Sequence, residues 1–504
     1  LRGRLGAGPN RMNRVTVMRT AAGVAQWAGR GATVVIGYDA RHRSADFARD
    51  SAAVLAGAGC TALLLPRPLP TPVLAFTVRD LGADAGIMVT ASHNPPEDNG
   101  YKVYVGGTGA DAGSQIIPPA DAEISAAVDA AGPVGKLPLS QDWRLLGEEA
   151  VERYISGVCT LPLGRERGIT AAYTPLHGVG GKTLLTAFER AGFPPPRVVR
   201  EQERPDPDFP TVRFPNPEEP GAVDLALAAA RDEGTDIVLA NDPDADRLAV
   251  AVPGHGLLTG DEVGGLLAEY VLGRTFGEDR MVATTVVSAG LLPKIAAAHG
   301  VRCVETLTGF KWLARAAGAG ERCVFAYEEA LGYCLAGDRG RPVADKDGIG
   351  AALVLAALAA EAKRDGRTLL DLLDDQARRY GLHATRQVSV RVSDPAVLAD
   401  TMRRLRAEAP RAFGPLAVEA AEDFSTGLNG LPATDALRYG LSGPVQGRIT
   451  LRPSGTEPKL KIYLEVVLPV ERDVAGVRAD AEARLDALAG TVRALFPEEH
   501  ELRR

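Results

Sequence analysis

Cysteine, lysine and aromatic residues are all scarce in this 504-residue chain. The five cysteines, Cys60, Cys159, Cys303, Cys323 and Cys334, are odd in number and widely spaced, and no CxxC pair occurs. That pattern excludes a disulfide framework and a structural zinc site, and it predicts reduced thiols in a cytoplasmic setting. No apolar run reaches the roughly 18 residues of a membrane span. The longest uncharged Ala/Leu stretch, Gly348 to Ala360, reads as a buried helix. No signal peptide is visible, and no membrane partner is expected. The net charge of −7 lacks the basic excess that nucleic-acid binding needs. Neither a GxxxxGK[ST] phosphate loop nor a GxSxG nucleophile elbow is present.

What is there is ordinary globular material. Hydrophobic residues make up 45% and charged residues 24%. At about 150 residues per domain, the length predicts roughly three or four domains. Short aliphatic runs alternate with Ala/Leu-rich helical stretches, the rhythm of mainly parallel sheets covered by helices. Thr33–Asp39, Thr61–Leu65 and Ala85–Thr90 read as strands around a helix at Ser44–Gly57. The rhythm restarts at residues 168–173 and again at 281–287, where a helix is expected over Lys311–Ala317. After Tyr380 the texture becomes that of a smaller α+β unit, with strands at Val388–Val392, Gly447–Leu451 and Leu460–Val467, closed by a long C-terminal helix. The expected division is 1–157, 158–276, 277–383 and 384–504, with Tyr380–Thr385 as the last boundary and Pro205–Pro220 as a long loop inside the second unit.

Four loops carry chemistry. Thr90-Ala91-Ser92-His93-Asn94-Pro95-Pro96 follows a predicted strand, so Ser92 stands where the strand's carboxyl end opens onto a crevice. A hydroxyl there can serve as nucleophile or phosphoryl carrier, with His93 and Lys102 as proton-transfer candidates. Asp242-Pro243-Asp244-Ala245-Asp246-Arg247 sets three carboxylates at alternate positions, where they can converge on one hard cation. The EF-hand reading fails on spacing, since the sixth residue is Arg247 and the twelfth Pro253, so Mg²⁺ with a phosphate oxygen fits better. Arg452-Pro453-Ser454-Gly455-Thr456-Glu457-Pro458-Lys459 offers a guanidinium fork, hydroxyls and a backbone amide to a phosphate. Tyr327-Glu328-Glu329-Ala330-Leu331-Gly332-Tyr333 places carboxylates at a bend, where they can grip sugar hydroxyls. Weaker signals are Thr308-Gly309-Phe310-Lys311, His177-Gly178-Val179-Gly180 and Asp345-Lys346-Asp347-Gly348. Six of the nine lysines fall in the wider windows around these motifs, 90–104, 174–182, 308–312, 345–349 and 448–463: Lys102, Lys182, Lys311, Lys346, Lys459 and Lys461. Asp39-Ala40-Arg41-His42-Arg43-Ser44 is expected to cap a helix through Ser44 and to add positive charge from Arg41 and Arg43 near the first crevice.

With these loops in this order, the chain resembles the α-D-phosphohexomutase superfamily, and within it the phosphoglucomutase-2 and bacterial phosphomannomutase branch, which also holds phosphopentomutases. The resemblance implies an α/β fold of four domains, three similar α/β units plus a smaller α+β C-terminal domain, around a central cleft. It implies a mutase interconverting hexose 1-phosphate and hexose 6-phosphate through a phosphoserine and a hexose 1,6-bisphosphate, the latter also an activator. A phosphopentomutase is the near alternative, and a metal-dependent sugar phosphatase the more distant one. Carried over by position, Ser92 is the phosphoserine and, with Asp242, Asp244 and Asp246, holds Mg²⁺. His93 and Lys102 assist proton transfer, and Arg247 lies beside the transferring phosphoryl. Thr308, Gly309 and Glu328 read the sugar. Arg452, Ser454, Gly455, Thr456 and Lys459 hold the non-reacting phosphate. The expected partners are small phosphosugars. Ala330 departs from the serine many relatives carry there. The family's usual Gly-Thr-x-Gly-x-Arg-Gly opening is entered only at Leu1-Arg2-Gly3, so a supporting strand is expected upstream and Arg2 is expected at the site.

Overall fold

Val34, Val35 and Ile36 are all fully buried, as a strand covered on both faces requires. They belong to strand Thr33–Tyr38, the centre of a five-stranded sheet. It pairs in parallel with Thr61–Leu64 and Ala85–Val89, while Lys102–Val105 adds an antiparallel edge and Arg144–Leu145 the opposite one. Helix Ser44–Gly57 turns Phe47, Ala48, Ser51, Ala52 and Leu55 inward at helical spacing. The structure is a computed structural model that describes residues 1–391, 395–453, 459–471 and 473–496.

A second five-stranded sheet has Ile237–Ala240 at its centre, parallel to Ala171–Thr174 and antiparallel to Ala249–Val252. A third pairs Arg280–Thr285 in parallel with Arg322–Glu328, which turns back into Gly332–Leu335. Helix Gly260–Leu272 starts with a reciprocal cap between Thr259 and Glu262. The apolar stretch read as a buried helix is Gly348–Arg364, whose first amides are capped by Asp347. No helix among the described residues is long and apolar enough to cross a membrane.

Apart from Thr284 and Thr285 at the end of strand Arg280–Thr285, these elements lie in one compact unit of residues 1–283 and 309–369; residues 284–308 and 370–504 form a second. The second unit is built on antiparallel strands from Leu382–Arg391 to Lys459–Leu468. Strand Leu437–Ser442 alternates buried and half-buried residues, as expected of a sheet with one covered face. Inside this unit the Glu465 carboxylate accepts from Gly290 N–H and lies 2.8 Å from both His383 Nδ1 and an Arg448 nitrogen. Burial opposes its ionisation, but Arg448 and His383 outweigh burial and pull its pKa down to about 2.

Two elements differ from the sequence reading. The helix expected over Lys311–Ala317 is a single turn, Phe310–Leu313, because the amides of Arg315 and Ala316 bond three residues back and close turns. The strand expected from Val388 opens at Leu382, inside the segment read as a boundary, because its whole length pairs with Lys459–Leu468.

Candidate active site

Ser92 lies just beyond strand Ala85–Val89 in the left-handed region, φ 55°. That conformation is uncommon without glycine and persists where surrounding contacts over-determine it. Here the Ser92 N–H donates to Thr90 Oγ1 at 2.8 Å, and its carbonyl accepts from Arg41 Nη2 at 2.7 Å. The residue is 1% exposed, and its Oγ donates to Asp242 Oδ2 at 2.9 Å. His93 Nδ1 lies 3.3 Å from the same Oγ. Burial, then the charges of Arg247 and Arg2, lower the His93 pKa well below its ordinary value, so the ring is held neutral.

Asp242, Asp244 and Asp246 are fully buried on the loop after strand Ile237–Ala240. Each offers an oxygen within 4.8 Å of the others. The Arg247 N–H occupies Asp242 Oδ1 at 3.0 Å. Thr71 Oγ1 and Lys102 Nζ donate to Asp244 Oδ2, and Lys102 Nζ reaches Asp246 Oδ2 at 2.9 Å as well. Asp244 Oδ1 and Asp246 Oδ1 are buried and receive no hydrogen bond. Anionic oxygens removed from water without donors are costly, and two of them facing a hydroxyl-capped third carboxylate form the all-oxygen donor set that a hard cation takes. The residues therefore fit Mg²⁺.

The charges among these groups are uneven. Burial, then Asp246 and Asp244, raise the Asp242 pKa. Burial also opposes ionisation of Asp244, but Lys102 outweighs it and the pKa falls. Asp246 is lowered too, against burial and Asp244, by Lys102, Lys346 and Arg247. Burial favours a neutral Lys102, yet Asp244 and Asp246 overcome it and hold the ammonium charged.

The loop is pressed in place by glycines. A Cβ on Gly178 would fall 2.4 Å from the Pro243 backbone, and one on Gly348 would fall 2.2 Å from the Arg247 carbonyl oxygen. That close approach is what the weak signals at residues 177–180 and 345–348 encode.

Glu328 ends strand Arg322–Glu328, and the chain reverses through Leu331 at φ 61°. Arg247 Nη1 donates to the Ala330 carbonyl at 2.9 Å, and its Nε lies 3.8 Å from Asp246 Oδ1. Lys346 Nζ stands 3.4 Å from Asp246 Oδ2 and 3.8 Å from Glu328 Oε1. The first unit thus gathers Ser92, His93, Lys102, the three aspartates, Arg247 and Glu328. Gly309 precedes the short helix Phe310–Leu313 in the same unit. Thr308 belongs to the second unit, as do Arg452 and Lys459 on paired strands Gln446–Pro453 and Lys459–Leu468. Ser454, Gly455 and Thr456 lie outside the described residues.

Three residues join this site in ways the sequence reading did not give. Lys346 carries only the rarity of lysine as a signal. Thr71, at a helix start after Pro70, carries none. Arg41, expected to offer free positive charge, instead has its guanidinium turned into backbone carbonyls. Nor does Ser44 cap the helix: its Oγ donates to Asp39 Oδ1 at 2.6 Å. His177 is a satisfied polar residue, 2.8 Å from Thr211 Oγ1.

Parallel α/β sheets whose strand ends present a serine, an acidic triad and a carboxylate bend define a fold and site of one class, the phosphohexomutase fold. Family models for phosphoglucomutase/phosphomannomutase α/β/α domains I, II and III match residues 1–134, 152–256 and 259–380, and the model of the C-terminal domain matches residues 444–486. The chain belongs to the phosphoglucomutase/phosphomannomutase family of the α-D-phosphohexomutase superfamily. It is 43% identical over 463 residues to the "Probable phosphomannomutase" of Haemophilus influenzae, covering 90% of this chain and 93% of that protein. It is 34% identical over 527 residues to the "Phosphopentomutase" of Homo sapiens, covering 93% and 84%. A crystal structure of a phosphomannomutase-family protein from Thermus thermophilus is similar, with a TM-score of 0.72 at 25% identity over 96% of this chain and 97% of that one.

Proposed function

We propose that this chain is a phosphosugar mutase of the phosphoglucomutase/phosphomannomutase kind, interconverting hexose 1-phosphate and hexose 6-phosphate. The observation that carries the reading is the contact between Ser92 Oγ and Asp242, beside two carboxylate oxygens that lack donors. Family membership and the 43% identity to a protein named as a phosphomannomutase support it, and the lower identity to a phosphopentomutase favours hexose.

In this reading phospho-Ser92 gives its phosphoryl to a sugar hydroxyl. The Oγ–P bond breaks, a new O–P bond forms, and the hydroxyl proton leaves to a base. The leaving Ser92 Oγ takes up a proton in the same step, and His93 and Lys102 assist these proton transfers. Asp242, Asp244 and Asp246 would hold Mg²⁺ with an oxygen of the phosphoserine. Bound there, the ion would neutralise charge developing on the phosphoryl oxygens. Arg247 steadies the same region, and Glu328, Thr308 and Gly309 recognise the sugar. Arg452, Ser454, Gly455, Thr456 and Lys459 bind the phosphate that does not react. The resulting hexose 1,6-bisphosphate returns its other phosphoryl to Ser92, and a trace of free bisphosphate primes the enzyme. The four-part division at 157/158, 276/277 and 383/384 is our proposal for the domains. The odd number and wide spacing of the five cysteines support a reducing, cytoplasmic location.

The test is a phosphorus-NMR time course with Mg²⁺, a trace of matching bisphosphate and, in turn, glucose, mannose and ribose 1-phosphates. Conversion of the hexose 1-phosphates to 6-phosphates is expected. Fastest conversion of ribose 1-phosphate would move the reading to a pentomutase, and release of inorganic phosphate alone would overturn it in favour of a phosphatase.

A further inference from the structure

The Pro-rich loop from Pro205 to Pro220 has no part in the chemistry above, yet its Phe209 packs against Arg41, which holds the serine loop. Phe209 is 2% exposed and adopts a left-handed backbone, φ 47°. Its ring lies under the Arg41 guanidinium, 5.0 Å from centroid to carbon. The loop is pinned immediately before this contact. Asp208 Oδ1 lies 2.7 Å from His42 Nε2, and the Asp206 N–H donates to the His177 carbonyl at 2.9 Å.

Above the ring, Arg41 serves the backbone of the serine loop. Its Nη2 donates to the carbonyls of Ser92 and Asn94, and its Nη1 to those of Pro95 at 2.8 Å and Asp98 at 3.2 Å. Asp39 sits beside it, Oδ2 3.5 Å from Nε. A buried guanidinium satisfying four carbonyls of one loop fixes that loop's backbone, and a planar fork does this where a point charge cannot. An aromatic face attracts a buried cation through its quadrupole, which an aliphatic side chain of similar size does not provide.

We propose that Arg41 and Phe209 are positioning residues for phosphoryl transfer. Phe209, carried on the Pro205–Pro220 loop, holds the Arg41 fork in the plane where it sets the left-handed backbone of Ser92, and with it the direction of Oγ toward the reacting phosphorus. The proposal rests on the reading of Ser92 as the nucleophile. Both side chains are buried, with Arg41 spent on backbone carbonyls, so their loss slows the chemical step and leaves substrate affinity alone.

The experiment compares kcat, KM and melting temperature of the full chain with Phe209→Leu, Phe209→Tyr and Arg41→Lys, in the primed mutase assay. Phe209→Leu is expected to lower kcat about 3- to 30-fold with KM within about twofold, the range spanned by a cation over an aromatic face. Phe209→Tyr restores kcat, because the face returns. Arg41→Lys lowers kcat about 100-fold, the order expected when a reacting group shifts by an ångström. Wild-type kcat in Phe209→Leu, or an equal loss in Phe209→Tyr at an unchanged melting temperature, overturns the proposal. Should Arg41→Lys not fold, the two Phe209 variants decide alone. An inactive wild-type chain would instead refute the mutase reading, and this proposal with it; an active wild type with an unaffected Phe209→Leu refutes positioning only.

Discussion

Ser92 Oγ and Asp242 Oδ2 lie 2.9 Å apart, although 150 residues separate them in sequence. The contact exists only while Ser92 carries its hydroxyl. Phosphorylation replaces the donor with a group of about −1.5 to −2 charge, set against a buried carboxylate. The phosphorylated state therefore requires positive charge to enter among the aspartates, which ties serine modification to cation binding.

Replacing Ser92 by Ala removes the acceptor for the phosphoryl. Turnover should vanish and intact mass should show no phosphate gain after exposure to a hexose bisphosphate, while calorimetry still detects sugar-phosphate binding. Normal turnover in this variant would refute the phosphoserine route.

Lys102→Met leaves Asp244 and Asp246 buried beside each other without their shared ammonium. Breaking such a buried pair costs about 3–5 kcal/mol. Thermal unfolding should show a lower melting temperature, and millimolar Mg²⁺ should recover more of it than it adds to the wild type. Equal stabilisation of both proteins by Mg²⁺ would contradict the assignment of the triad as a cation site.

Gly348→Ala tests the press of the helix start against the aspartate loop. Alanine gains roughly 1 kcal/mol of helix propensity over glycine. The new Cβ would meet the Arg247 carbonyl at 2.2 Å and Asn241 Nδ2 at 2.7 Å, and overpacking of this kind costs about 1–3 kcal/mol. Overpacking is expected to win, lowering stability and weakening divalent-cation affinity at least tenfold by calorimetry. A stabilised variant with unchanged affinity would show that the loop has room to move.

Asp347 gives a pH signature. Burial pushes its carboxyl up to about 6, although the Gly350 and Ile349 amides and the Tyr154 hydroxyl pull the other way. A carboxyl whose folded pKa lies above its unfolded value binds more protons when folded, so its contribution is complete below the unfolded pKa and is lost as pH rises through about 6. Asp347→Asn keeps an acceptor for the helix amides and removes the titration. Between pH 4 and 7, urea unfolding should show the variant's stability relative to wild type rising by about 2 kcal/mol. A flat difference across that window would place the carboxyl at an ordinary pKa.

The legible parts of this molecule are those in which chemistry and local sequence coincide. Ser92 and the aspartates stand directly after buried aliphatic strands, so a strand followed by a polar loop marks both. Helix Ser44–Gly57 is readable from Phe47, Ala48 and Leu55 at helical spacing. Helix Arg14–Ala28 is not, because its buried face is largely alanine, glycine and valine, which show little contrast with its exposed face. Contacts over long sequence separation are the other hidden class. Nothing near Thr71 announces Asp244, and nothing near Phe209 announces Arg41. The role of Arg41 is hidden because a charge counted along a sequence says nothing about whether water or carbonyl oxygens surround it.

The left-handed backbone of Ser92 restricts which hydroxyl amino acid can occupy the position. Threonine offers the same oxygen, but its branched Cβ makes a positive φ a genuine outlier and restricts its χ1. A Thr at 92 would have to relax the loop or turn its oxygen from Asp242, so a substitution that looks conservative on paper would work against the backbone itself. Two amino acids that kinases often treat as equivalent are, at this turn, distinct in kind.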